Sequence, residues 1–339
     1  MQPIPSVLVL GGRGRFGQAA ARAFAQGGWR VVAQMRPGAA AVRIPGVEWI
    51  EAQPEDTASL ASHCGRASVV VQALSPLYTH KVWRREVPRL TTAAISIAQE
   101  FGATLMLPGN VYNFGAQLPS ELREDSAQPA QTVKGRLRIE SEQRIAQATA
   151  DGRMKAVVIR GGDFFGSGQG SWLDQVMAKE LRKGKFTYPG PLDLTHAWTY
   201  LPDMADAFVR VAAQRKQLPA FEQMHFAGHA VTGQAWADVL HLIAQDEGWI
   251  VPGGTLRFGR LPWPLLRTLG VFAPTFEALS EMRYLWQRPH QLVNRRMQSL
   301  TGPERHTPFE VAVRRALAEL GFLKRAEPPV APQAIARAG

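Results

Sequence analysis

The chain has 339 residues, 45% hydrophobic, with a formal net charge of +11 at pH 7. Length and composition give one large or two ordinary globular domains, and no apolar stretch approaches a membrane span. A single cysteine, Cys64, excludes an internal disulfide and, with no basic leader before the first apolar run, points to a reducing cytoplasm.

The first element reads Val7-Leu8-Val9-Leu10, then Gly11-Gly12-Arg13-Gly14-Arg15-Phe16-Gly17, then an alanine-rich run to Ala25. An apolar strand entering a glycine turn and then a helix is what a dinucleotide pyrophosphate needs. The first glycines allow a tight turn, Gly14 lets the backbone approach the phosphates, and Gly17 lets the helix pack on the strand. Arg15 and Phe16 complete the loop at the helix N-terminus. Strands are predicted at 6–11, 29–35, 47–51, 68–74, 103–108 and 155–160. Helices are predicted at 15–27, 57–63, 80–101 and 134–149, with Asp56 as an N-cap. This alternation implies an α/β fold with a doubly wound parallel sheet. A helix at 171–183, a helix at 203–214 and a strand at 222–227 follow. From 232 the chain reads as mostly helical and broken by prolines, and the segment Ala326–Gly339 reads as disordered. Cys64 lies beside His63, but neighbours on a helix point apart, so packing or a surface position is expected.

Four landmarks carry a resemblance that covers nearly the whole chain. They are the Gly11–Gly17 loop, Asn110-Val111-Tyr112 with Gly115, the run Val158 to Gly166, and His196 to Ala205. With them the chain resembles the extended short-chain dehydrogenase/reductases, the NAD(P)-dependent epimerase/dehydratase group. The resemblance implies a Rossmann domain over 1–165, rejoined by 196–228. It implies a smaller, mostly helical substrate-binding domain over 166–195 and 229–325, ahead of the tail at 326–339.

The catalytic helix departs from that family. Lys134 stands where its Tyr-x-x-x-Lys pair has tyrosine and Arg138 where it has lysine. The assisting hydroxyl falls near Pro108. Lys134, Arg138 and Glu142 match instead the Lys-x-x-x-Arg-x-x-x-Glu of the isoflavone-reductase-like and NmrA-like branches. Steps of four put them on one helical face. The resemblance makes Lys134 a general base and Arg138 a ligand of the nicotinamide ribose. A solvated helix with an Arg138–Glu142 ion pair is the other reading. Tyr112 is a second candidate acid. Asn110 either bonds a substrate carbonyl or forms an Asx turn.

The second predicted strand ends at Arg36 with no acid nearby, which favours NADP(H) over NAD(H), with Arg13 closing on the same phosphate. Gln53 falls at the adenine, and Ala73 and Leu74 pass beside the cofactor. Ser75 to Tyr78, Trp83, Phe164, Phe165, Trp172 and His196 lie near the expected cleft, with packing favoured for Trp83 and His196. No metal-ligand spacing is present. Basic doublets are far apart and lack interleaved aromatics, which argues against nucleic acid. The expected partner is a small molecule, with no membrane and with a homodimer open. Three functions follow: an NADP(H)-dependent oxidoreductase on a small carbonyl or alcohol, a non-enzymatic NADP(H) sensor of the NmrA-like kind, or a sugar-nucleotide epimerase.

Overall fold

The computed structural model describes residues 4–323 except Phe272. The expected disordered tail lies outside the described residues. Apolar runs become strands: β1 (Ser6–Leu10), β2 (Arg30–Met35), β3 (Val47–Glu51), β4 (Val69–Gln72) and β5 (Thr104–Gly109). The short β6 (Glu121–Leu122) precedes β7 (Lys155–Arg160). After it come β8 (Asp163–Phe165), β9 (Lys185–Tyr188) and β10 (Thr195–Tyr200). The last strands are β11 (Phe221–His225), β12 (His229–Thr232), β13 (Arg257–Arg260) and β14 (Gln291–Leu292).

Seven strands form the main sheet in the order β11-β7-β5-β4-β1-β2-β3, and every neighbouring pair is parallel. Because all seven point one way, the loops after β1, β4, β5 and β7 emerge on one edge. The winding reverses between β1 and β4, which opens a crevice at that edge.

The helices in chain order are α1 (Arg15–Gln26), α2 (Thr57–Cys64), α3 (His80–Phe101), α4 (Val133–Ala148) and α5 (Leu201–Ala213). They continue with α6 (Gly233–Asp246), α7 (Trp263–Leu269), α8 (Pro274–Ser280), α9 (Arg295–Thr301) and α10 (Phe309–Glu319). Asp56 does cap α2, its carboxylate accepting from Ser59 N at 3.0 Å. Period-two alternation sorts the sheet faces. Val7 and Val9 pack with Phe16, Phe24 and Phe208 of α1 and α5, whereas Leu8 and Leu10 pack with Leu60, Cys64, Ile97 and Ile145. Cys64 is thus a core residue.

A second core gathers Phe165, Trp198, Trp236, Trp286 and neighbours from the C-terminal half. The main difference from the sequence reading lies here. Residues 171–183 form no α-helix but a π-helical turn at Leu173–Met177 and a 3-10 turn at Leu181–Lys183. The wider turn lets Leu173, Met177, Ala178 and Leu181 all reach full burial, so packing overrides helical preference. β8 and β10 pair with each other and β10 with β12 in a separate three-stranded sheet, so this helical half also carries short strands. No described helix is long and apolar enough to cross a membrane.

Candidate functional site

The glycine loop is pinned from below by a residue that sequence reasoning missed. Gln34 is fully buried at the end of β2. Its side-chain oxygen accepts from Gly11 N at 2.9 Å, its amide donates to Ala52 O at 2.6 Å, and its backbone oxygen accepts from Gly12 N at 2.8 Å. A Cβ on Gly17 would overlap the Gly11 carbonyl oxygen, so only glycine lets α1 start this close to the loop. Ala73 and Leu74 leave β4 beside Gly11, with Ala73 N bonded to Leu10 O at 2.9 Å. The N-cap of α1 is Gly14, and neither a capping side chain nor an acid occupies the first turn. The first-turn N–H groups of Arg15, Phe16 and Gly17 therefore lack a side-chain acceptor, and the dipole end is open to an anion. A dinucleotide pyrophosphate fits this cradle.

Arg13, Arg36 and Gln53 are exposed at the same edge. The expectation that no acid lies near the end of β2 is corrected. Parallel register puts Glu51 opposite Met35, and its carboxylate accepts from Gly38 N at 2.8 Å. Register between strands, invisible in local sequence, brings it there.

Past β5, Asn110 accepts from Tyr112 N at 3.1 Å and caps a 3-10 turn over Val111–Phe114, which is the Asx-turn geometry. Its side-chain NH2 stays available. Tyr112 Oη lies 3.3 Å from Tyr78 Oη. Gly135, inside α4, allows this turn to lie against the helix: a Cβ there would meet Tyr112 O at 2.6 Å. Lys134, Arg138 and Glu142 do share one face of α4, but the ion pair read between the last two is not the one formed. Glu142 pairs with Arg160 of β7, both buried, and also accepts from Gln223 at 3.2 Å.

Lys134 is fully buried. Its Nζ donates to Ala278 O at 2.8 Å and lies 4.0 Å from the Tyr78 ring centroid and 3.9 Å from a Glu281 oxygen. Burial lowers its pKa to about 8, against the opposing pull of Glu281 and Glu277. Burial pushes Tyr112 up to about 12 and Tyr78 well above the usual phenol value. Arg138 lies over the Trp83 ring at 5.2 Å, with no hydrogen-bond partner for its buried Nε. Trp83 is buried packing, as expected.

The C-terminal part of the chain closes this cluster. A 3-10 turn at Glu281–Trp286 places Glu281 at 2.6 Å from Val133 N and 3.0 Å from His80 Nε2. Glu277 reaches the other ring nitrogen of His80 at 3.5 Å. No local sequence signal links 80, 134 and 281. Asp163 bonds His196 at 2.7 Å, and His196 stacks on Trp286 at 4.2 Å, so His196 is structural as expected. Phe165 belongs to the core rather than a pocket. Arg15 turns from the glycine loop to the Phe164 and Gly166 carbonyls at 3.3 and 3.4 Å, joining the two halves. Arg283 and Trp286, on the same turn as Glu281, line a cavity of ≈ 590 Å³ with Tyr188, Arg260 and Trp263. Among the described residues, no group of three or more His, Cys, Asp and Glu could hold a metal ion.

No curated protein sequence matches the chain. Among solved structures, UDP-glucose 4-epimerase from Brucella ovis in complex with NAD aligns with a TM-score of 0.70 at 14% identity, covering 94% of this chain and 98% of that one. The Bordetella bronchiseptica enzyme WbmH in complex with NAD+ gives 0.69 at 15%, covering 94% and 98%. The UDP-Glc/GlcNAc 4-epimerase of Campylobacter jejuni gives 0.68 at 13%, covering 93% and 98%. At these identities the likeness concerns the fold. The sequence model of the NAD dependent epimerase/dehydratase family matches residues 7–226, which span nearly all of the seven-stranded sheet, and the chain belongs to that family.

Proposed function

We propose that the chain is an NADP(H)-dependent reductase of a small carbonyl substrate bearing an anionic group. The observation that carries this reading is the trio of buried Lys134 and half-buried Tyr78 and Tyr112 at the strand edge that bears the glycine loop. A lysine with a pKa of about 8 and a phenol near 12 are protonated at neutral pH, so the trio is set to donate protons rather than accept them. Proton donation to a developing alkoxide is what carbonyl reduction requires.

The first-turn N–H groups of α1 would hold the pyrophosphate, with Arg13 and Arg36 on the 2′-phosphate, Gln53 at the adenine and Ala73 and Leu74 alongside. Arg138 would take the nicotinamide ribose. The bound cofactor supplies the hydride. Lys134 and Tyr112 supply the proton, and the free NH2 of Asn110 orients the carbonyl oxygen. Arg260 and Arg283 would receive the anionic part of the substrate in a cavity with aromatic walls. Similar folds in complex with UDP-glucose or NAD make a sugar nucleotide the first class to try, and epimerisation the neighbouring chemistry.

The test is NADPH oxidation against keto-sugar nucleotides and simple aldehydes and ketones. Lys134→Met should lower turnover by about 10² or more while changing cofactor affinity less than about threefold. Wild-type turnover should fall as pH rises above about 8, as Lys134 loses its proton. Full turnover by Lys134→Met would remove the proton-donor role. A second reading rests on the same lysine: its full burial against Ala278 O also suits a cofactor-binding sensor. Tight NADPH binding with no turnover on the panel would favour it.

A further inference from the structure

The helix α7 is apolar on two sides. Trp263 and Leu266 face the core at 7% and 9% exposure. Leu265 and Leu269, four residues apart and so on one face, are 54% and 39% exposed, and Val271 follows at 80%. Phe258 of the preceding strand is 45% exposed. A helix face turned to water is ordinarily polar, and a contiguous apolar patch marks an interaction site.

The exposed charge around this patch is mostly positive, with Glu277 of α8 and Asp193 of the neighbouring hollow as exposed acids. Arg257, Arg260, Arg267, Arg283 and Arg288 are all exposed. The two glutamates in the stretch, Glu277 and Glu281, are engaged by His80. Arg260 and Arg283 border one hollow with Trp263, and Arg283 borders a second with Arg267, Trp263 and Pro264, so two of the arginines flank α7 and a third lies on it. Arginines on one flank of α7 and unpartnered leucines on the other, on a chain of charge +11, complement a surface that is anionic outside and apolar beneath.

We propose that the α7–α8 corner docks on an anionic lipid bilayer. Leu265, Leu269 and Val271 enter the headgroup boundary and the arginines meet lipid phosphates. This proposal departs from the expectation of no membrane partner, and surface docking needs no spanning segment. Docking also brings the cavity bordered by Arg260 and Arg283 to the lipid headgroups.

The experiment is co-sedimentation of the full chain with phosphatidylcholine vesicles, with or without phosphatidylglycerol. Binding is expected only to the anionic vesicles. Leu265→Ser with Leu269→Ser should weaken it about tenfold or more. Arg267→Glu should weaken it about fivefold or more. Both variants alter exposed positions, and unchanged thermal midpoints would show that they fold. Three results would overturn the proposal. The wild-type chain could fail to pellet with anionic vesicles. The leucine variant could bind as well as the wild type, which would mean adsorption by net charge alone. The chain could sediment as a dimer that the leucine variant converts to a monomer, which would mean that this face covers a second copy.

Discussion

Lys134 is a cation held away from water, and its stability effect has a definite sign. Its pKa falls from 10.5 to about 8 on folding. Between those values the unfolded chain binds more protons, so stability rises with pH across that window. A shift of this size corresponds to an energy on the order of 3 kcal/mol. Urea midpoints of wild type and Lys134→Met should therefore show the wild type gaining on the variant between pH 8 and pH 10. A constant gap would mean that the lysine titrates normally. The buried Arg160–Glu142 pair makes a second case. Arg160→Leu leaves a carboxylate without its cation and should cost about 3–5 kcal/mol, much of it recovered in Arg160→Leu/Glu142→Leu. A double variant no more stable than the single would contradict this. Sequence spacing correctly put Lys134, Arg138 and Glu142 on one face. It could not show that Glu142 turns to β7, because that choice depends on which strand lies under the helix.

At the scale of elements, the glycine loop was legible because both flanks are strong: a run of Val and Leu before it, alanines after it. The inner strands β1, β4, β5 and β7 were legible for the same reason, since burial on both faces makes them largely apolar. The turn at Leu173–Met177 was not, because its geometry is chosen by the core it fills. The short strands β8, β9, β12 and β13 carry too few residues for a clear period. Gly17→Ala should test the loop directly. The added methyl must push α1 from the loop, costing about 1–3 kcal/mol and weakening dinucleotide binding. Retained affinity at wild-type stability would show that the close approach is not needed. The His80 clasp makes a further prediction for α8. His80→Ala removes the partner of Glu277 and Glu281, and amide hydrogens over 274–286 should exchange faster, except that of Pro274, which has none. Unchanged exchange would mean that packing alone holds the segment.

At the scale of the molecule, the parallel sheet sets out one edge, and everything assigned to chemistry emerges there from strands far apart in sequence. The C-terminal part of the chain then contributes Ala278, Glu281 and the arginines of the cavity. Sequence alone located the glycine loop, because a local motif encodes it. It could not assemble the rest of the site, whose residues meet only through the fold. Arg36 and Glu51 pull cofactor choice in opposite directions. The decisive measurement is calorimetric titration of NADPH and NADH into the wild type and Arg36→Ala. NADPH should bind the wild type more tightly than NADH. Arg36→Ala should weaken NADPH by about tenfold or more and leave NADH nearly unchanged. Failure of both nucleotides to bind the folded wild type would contradict the central claim that the crevice is a dinucleotide site.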